Sequence, residues 1–192
     1  MMDADAKLIA QYQPQLVKLG AHKVAHLDEP LMNHLIRTYH LLREMECDET
    51  ICLSGLFHGA YGTQGLHTDE IGDIPSSQRE IVRASIGESA EQLVYHFSVM
   101  SYESLSKSFR NILKPEGQPC LKDRRNGRTL NVSLGHFQAL LALKLADVLA
   151  HTPTQKYHTC LNLPAEYGMF WELVAEYLGE KPLSIWNKTI NG

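Results

Sequence analysis

The chain has 192 residues, 44% of them hydrophobic and 21% charged, a composition that suits one globular domain with a real core. A formal net charge of −4 argues against a nucleic-acid surface, so any anion site has to be a local patch. The opening MMDADAKLIAQYQ carries acids where a secretory signal needs positive charge, and no stretch reaches the roughly 18 apolar residues of a membrane span. The four cysteines form no C-x-x-C pair, and the expectation is a reduced, cytoplasmic protein with neither nucleic acid nor membrane as partner.

In chain order, Leu8, Ile9, Tyr12, Leu16 and Val17 recur at helical spacing over residues 4–19, and Gly20 is a suitable stop. Asp28 is placed to cap a second helix over about 29–46, with Pro30 in its first turn and Leu31, Leu35, Thr38 and Leu42 on the buried face. Asp48 is placed to cap a third over 49–60, which ends in LSGLFHGAYGT. After a loop from Gly62 to Ser76, Ser77-Gln-Arg-Glu80 reads as a capping box for a helix over about 78–86. A longer helix carries Ala90, Leu93, Val94, Phe97 and Met100, and a less regular one covers 101–113.

The run from Pro115 to Thr129 is polar, punctuated and basic. It is expected to be either a solvated loop or a lid that meets an anionic substrate. Ser133 caps the most apolar helix, LGHFQALLALKLADVLAH, over about 134–151, and a last helix covers 162–178. No period-two run is long enough for a strand. The fold class is all-α, a single bundle of about seven to nine helices around the segments 49–60 and 134–151, with Trp171 and Trp186 as core aromatics.

Three polar residues interrupt these apolar helices. His58 ends the third helix, His34 stands beside the buried stripe of the second, and Asp147 lies inside the most apolar one. A buried carboxylate needs a cation, a metal or several donors. Lys144 and His151, three residues before and four after Asp147, are on its side of the helix, and His136 returns to that face three turns earlier. Two imidazoles and a carboxylate suit zinc, iron, nickel or manganese, while a plain Lys144–Asp147 ion pair is the simpler alternative.

The pattern His34-x-x-x-Thr38, then Leu53-x-Gly55-Leu56-Phe57-His58, then Lys144-Leu-Ala-Asp147-Val-Leu-Ala-His151, resembles the HD-domain superfamily of metal-dependent hydrolases. With Ile86-Gly87-Glu88-Ser89-Ala90-Glu91-Gln92-Leu93-Val94 in the same order, it is most similar to alarmone (guanosine tetra/pentaphosphate) hydrolase domains. The likeness spans His26 to His151, with an N-terminal helix over 1–25 and a helical extension over 152–192 outside it. The fuller pattern, His26-x(7)-His34-Leu35-x-x-Thr38 with Leu56-Phe57-His58-x-x-Tyr61-Gly62-Thr63, is similar to a family of HD-like domains of unknown function. The resemblance implies His34, His58 and Asp147 as metal ligands. Gly59 stands where those hydrolases carry a coordinating aspartate, and the acidic pair they use in the following loop is missing. His26 or His67 is then expected to supply the fourth ligand.

These readings lead to a metal-activated water attacking a phosphoester or other anionic small molecule. Tyr61 and Arg79 serve as catalytic groups, and Arg83, Lys144, Arg124 and Arg125 neutralise substrate charge. An iron-dependent oxygenase like the inositol-oxygenase branch is a variant. A metal-free HD-like module that binds a ligand or a partner protein is the alternative, with no cofactor at all. The long apolar helices leave room for a homodimer face.

Overall fold

Two helices without a polar side form the centre of the molecule, and the other elements are arranged around them. The computed structural model describes residues 2–19, 25–26, 29–62, 74–151 and 165–191. Among these, nine helices occur: α1 (Met2–Lys18), α2 (Leu31–Glu44), α3 (Glu49–Phe57), α4 (Ser76–Ile86), α5 (Glu88–Val99), α6 (Tyr102–Ile112), α7 (Leu134–Ala150), α8 (Ala165–Leu178) and α9 (Glu180–Asn191). Two antiparallel pairs of two-residue strands accompany them, β1 (Ala25–His26) with β2 (Glu29–Pro30), and β3 (Leu121–Lys122) with β4 (Thr129–Leu130). The fold is all-α, and no helix among the described residues is long and apolar enough to cross a membrane.

In α3 every residue from Cys52 to Phe57 is buried, and in α7 every residue from Ala139 to Ala150. Burying one Leu or Phe side chain contributes roughly 1.5–3 kcal/mol, so these two segments supply much of the driving force. α2 packs against both, α5 packs against both from another side, and α8 and α9 cover α7. α1 is tied down by Tyr12, edge-on to Phe57 at 5.7 Å, and by Asp5, which accepts from Tyr39 Oη at 3.3 Å. One hydrophobic cluster runs from Leu16 to Trp186.

Asp48 caps α3 by accepting from Ile51 N at 2.9 Å, and Ser133 caps α7 by accepting from His136 N at 3.2 Å, as their sequence positions imply. Three expectations need correction. Pro30 occupies the N-cap of α2 rather than its first turn, and Asp28 lies outside the described residues. α4 starts at Ser76 behind Pro75, without the capping box; Gln78 Nε2 instead donates to Ala60 O at 2.9 Å, tying α4 to the exit of α3. α9 is a separate helix within what the sequence suggests only as a helical extension over 152–192.

The basic run 115–129 contains the β3–β4 hairpin and is fastened to its neighbours. Ser108 Oγ accepts from Cys120 N at 2.9 Å and Ser104 Oγ from Lys122 N at 2.9 Å, so β3 is fastened along α6. Arg124 N then donates to Val99 O at 2.8 Å, anchoring the hairpin to the end of α5.

Candidate metal centre

Gly55 of α3 packs against α2. A Cβ there would lie 2.4 Å from Leu42 Cδ1 and 3.5 Å from Thr38 Cγ2, so a side chain would displace the Leu42 side chain. The carbonyl of the same residue lies 2.7 Å from His58 Nδ1. A carbonyl only accepts, which assigns the His58 proton to Nδ1 and leaves the Nε2 lone pair pointing away from its helix.

That lone pair meets His34 and Asp147. His34 Nε2 lies 3.2 Å from His58 Nε2 and 2.9 Å from Asp147 Oδ1, and His58 Nε2 lies 3.3 Å from the same oxygen. His151 Nε2 is 3.6 Å from Asp147 Oδ1, and its ring stacks on that of His34 at 4.2 Å and 17°. His34, Asp147 and His151 each offer a ligand atom within 4.8 Å of the others. His34, His58 and Asp147 are buried, while His151 is partly exposed, so the cluster faces solvent on the His151 side.

The electrostatics suit a cation. Burial pushes the His34 imidazole down to about 3, so it is neutral at ordinary pH and able to act as a ligand. Burial opposes the Asp147 charge, but Lys144, helped by His151, His34 and His58, holds the carboxyl well below the usual range. Lys144 Nζ lies 2.6 Å from Asp147 Oδ2 and donates to Tyr102 Oη at 2.9 Å. Burial opposes the lysine charge too, yet Asp147 and Tyr102 outweigh it and raise the ammonium above its ordinary value. His58 and His151 occupy the C-caps of α3 and α7, so two helices aim their negative ends at the cluster.

A metal fits this set. Two ligand atoms about 2.1 Å from one ion lie about 3.0 Å apart at an octahedral angle and about 3.4 Å at a tetrahedral one. The separations of 2.9, 3.2 and 3.3 Å fall on such edges. His151, with Nε2 3.6 Å from Asp147 Oδ1, is a further histidine beside the set. The side chain of His26 and the whole of His67 lie outside the described residues.

The other proposed site residues make their polar contacts elsewhere. Tyr61 Oη donates to Glu91 Oε1 at 2.9 Å; Arg79 donates to both oxygens of Glu91, at 2.7 and 2.8 Å; Arg83 reaches Oε2 at 3.6 Å. Burial raises Glu91, but Arg79 and Tyr61 more than reverse this and leave the carboxyl below its ordinary value. Tyr61 is pushed up by burial and by Glu91, which makes it a poor proton donor. Arg124 Nε donates to Ser98 O at 3.1 Å. Arg125 grips Asp123 at 2.6 Å and donates to Tyr95 Oη at 2.7 Å. His136 does not join Asp147: its Nε2 lies 2.9 Å from His96 Nδ1.

Glu91, fully buried at the centre of this network, is not singled out in the sequence analysis. Its signal was a carboxylate within the apolar stripe formed with Ala90, Val94 and Phe97, the same sign that exposed Asp147.

These features define an all-α protein with a buried histidine–carboxylate cluster at the ends of its two central helices. Residues 15–101 are similar to the Domain of unknown function (DUF6817). That stretch holds His34, His58 and the Tyr61–Arg79–Glu91 network and stops before α6, leaving Lys144, Asp147 and His151 outside. No curated protein and no solved structure matches the chain.

Proposed function

We propose that the protein is an HD-like, metal-dependent hydrolase of an anionic small molecule, a phosphoester by preference. His34, His58, Asp147 and His151 hold one divalent transition ion, manganese, iron, zinc or nickel. The observation that carries this reading is the convergence of His34 Nε2, His58 Nε2 and Asp147 Oδ1 at coordination-edge spacing. Such an ion supplies Lewis acidity, which polarises a phosphoryl oxygen and lowers the pKa of water.

The protein's own groups prepare the site. The Gly55 carbonyl fixes the His58 tautomer, and Lys144, anchored by Tyr102, takes Oδ2 of Asp147 so that Oδ1 faces the histidines. His151, stacked on His34, aligns that ring and lines the entrance. Because Lys144 cancels Asp147 and the histidine ligands are neutral, a bound dication leaves the site positive, which matches an anionic substrate. In this reading the chain works in the cytoplasm, where Cys47, Cys52 and Cys120 remain the free thiols they are here.

One observation favours a second reading, a metal-free HD-like binding module: Lys144 and His34 already satisfy both oxygens of Asp147. Elemental analysis of untagged protein separates the two. Stoichiometric transition metal is expected, lost in His34→Ala and Asp147→Asn but kept in His96→Ala, whose histidine belongs to the other pair. Metal at trace level only, with none rebound on addition, overturns the hydrolase.

A further inference from the structure

A cationic groove lies away from the histidine cluster. Between α6 and the β3–β4 hairpin runs a groove of about 730 Å³, within the size range of small-molecule sites. Lys107, Arg110, Lys114, Lys122 and Arg124 line it, against the carboxylates of Glu103 and Asp123 alone. This is a local excess of three positive charges in a chain whose formal net charge is −4. Both carboxylates are already engaged, Glu103 by Lys107 and Asp123 by Arg125. Arg110 and Lys114, by contrast, have no carboxylate partner among the described residues.

The walls are held in place. Ser104 and Ser108, both lining the groove, accept backbone N–H groups from Lys122 of β3 and from Cys120 just before it. Asn111 Nδ2 donates to Gln118 O at 2.7 Å and closes the far end. A Cβ on Gly117 would fall 1.8 Å from Asn111 O, so the chain leaves α6 too closely for any residue but glycine. No aromatic ring lines the groove. It offers ammonium and guanidinium groups carried on long stems, the chemistry that reads phosphate charge.

We propose that this groove is a second binding site, distinct from the metal cluster, for a small molecule bearing several phosphate charges. Recognition is of the phosphate chain and not of any base attached to it. The site does not depend on the hydrolase reading, because none of the cluster residues lines it.

The test is calorimetric titration of the full chain with inorganic tripolyphosphate in excess EDTA, which removes metal-mediated binding. Saturable one-site binding at low salt is expected, weakening as salt rises. The Arg110→Gln/Lys114→Gln double variant should bind at least about tenfold more weakly, since each exchange removes a charge-assisted contact. His58→Ala and the charge-matched Lys18→Gln/Lys188→Gln variant should bind as the wild type does. All four basic positions exchanged are on the surface, so circular dichroism is expected to be unchanged. Absence of saturable binding overturns the proposal. So does wild-type affinity in the groove variant, an equal loss in the charge-matched control, or loss of binding in His58→Ala.

Discussion

The Nε2 atoms of His34 and His58 stand 3.2 Å apart, and both lie within 3.3 Å of one oxygen, Asp147 Oδ1. His58 keeps its proton on Nδ1 for the Gly55 carbonyl, so a buried lone pair is turned toward the other two groups. Such a meeting is stable when a proton or a cation is shared within it. In the metal-free protein, Lys144 supplies the compensating charge from the far side of the carboxylate.

Lys144→Met therefore costs about 3–5 kcal/mol in chelator, because it leaves Asp147 buried without its cation. Added zinc or manganese should then stabilise this variant by more than it stabilises the wild type, as the dication takes over the work of the ammonium. Urea denaturation with and without metal measures both increments. Equal increments would mean that Asp147 is not a ligand.

Gly59→Asp places an aspartate directly after His58, as in the HD hydrolases the sequence resembles, yet metal affinity should not rise. A Cβ at Gly59 would lie 3.3 Å from Leu31 Cδ2 and 3.5 Å from Leu35 Cδ2, so the new carboxylate starts out among leucines. Loss of stability with unchanged metal affinity is the expected outcome, read by thermal melts and metal titration. A tighter metal site in this variant would show that the local backbone can turn the residue inward.

The Glu91 network predicts an acid limb. The carboxyl is held below its ordinary value in the folded chain, so its contribution is present above the unfolded pKa of about 4.3 and disappears as pH falls through the folded value. Glu91→Gln should be less stable at neutral pH but lose less on acidification below about pH 4. Tyr61→Phe, which removes one hydrogen bond to the ionised carboxylate, should cost about 1.5–3 kcal/mol. Parallel acid limbs for wild type and Glu91→Gln would contradict the network.

His96 titrates in a different window. Burial, His136 and Arg79 lower it to about 4, while the unfolded imidazole takes up its proton near pH 6.5. Because the unfolded chain binds that proton first, stability falls as pH drops from about 6.5 to about 4, by at most about 3 kcal/mol from this residue. Comparing wild type with His96→Asn by urea denaturation across that interval isolates the effect, with the variant expected to give the flatter profile.

Much of this arrangement is legible in the sequence. His34, His58 and Asp147 stood out because polar side chains on apolar helix faces must share partners, and the Asp48 and Ser133 caps set two of the relevant helix starts. What failed was pairing. Charge patterning identified Arg79, Arg124 and Arg125 as basic residues near a site, but only tertiary packing gives them Glu91, Ser98 O and Asp123. α9 is not separated in the sequence, where the last helix is taken to stop at Leu178; the structure starts α9 just after Gly179, with Pro182 in the first turn, where its missing N–H costs little. The strand–helix fastening at Ser104 and Ser108 has no periodic signature at all.

Between the Asp48 cap and the His58 ring lie the nine residues of α3, clamped at one end by a side-chain cap and near the other by the close approach at Gly55. Each residue added to or removed from that interval turns the imidazole by about 100° around the helix axis. α3 thus behaves as a gauge block: its length fixes which way His58 faces, and a single-residue insertion there would disarm the cluster while leaving every ligand in the sequence.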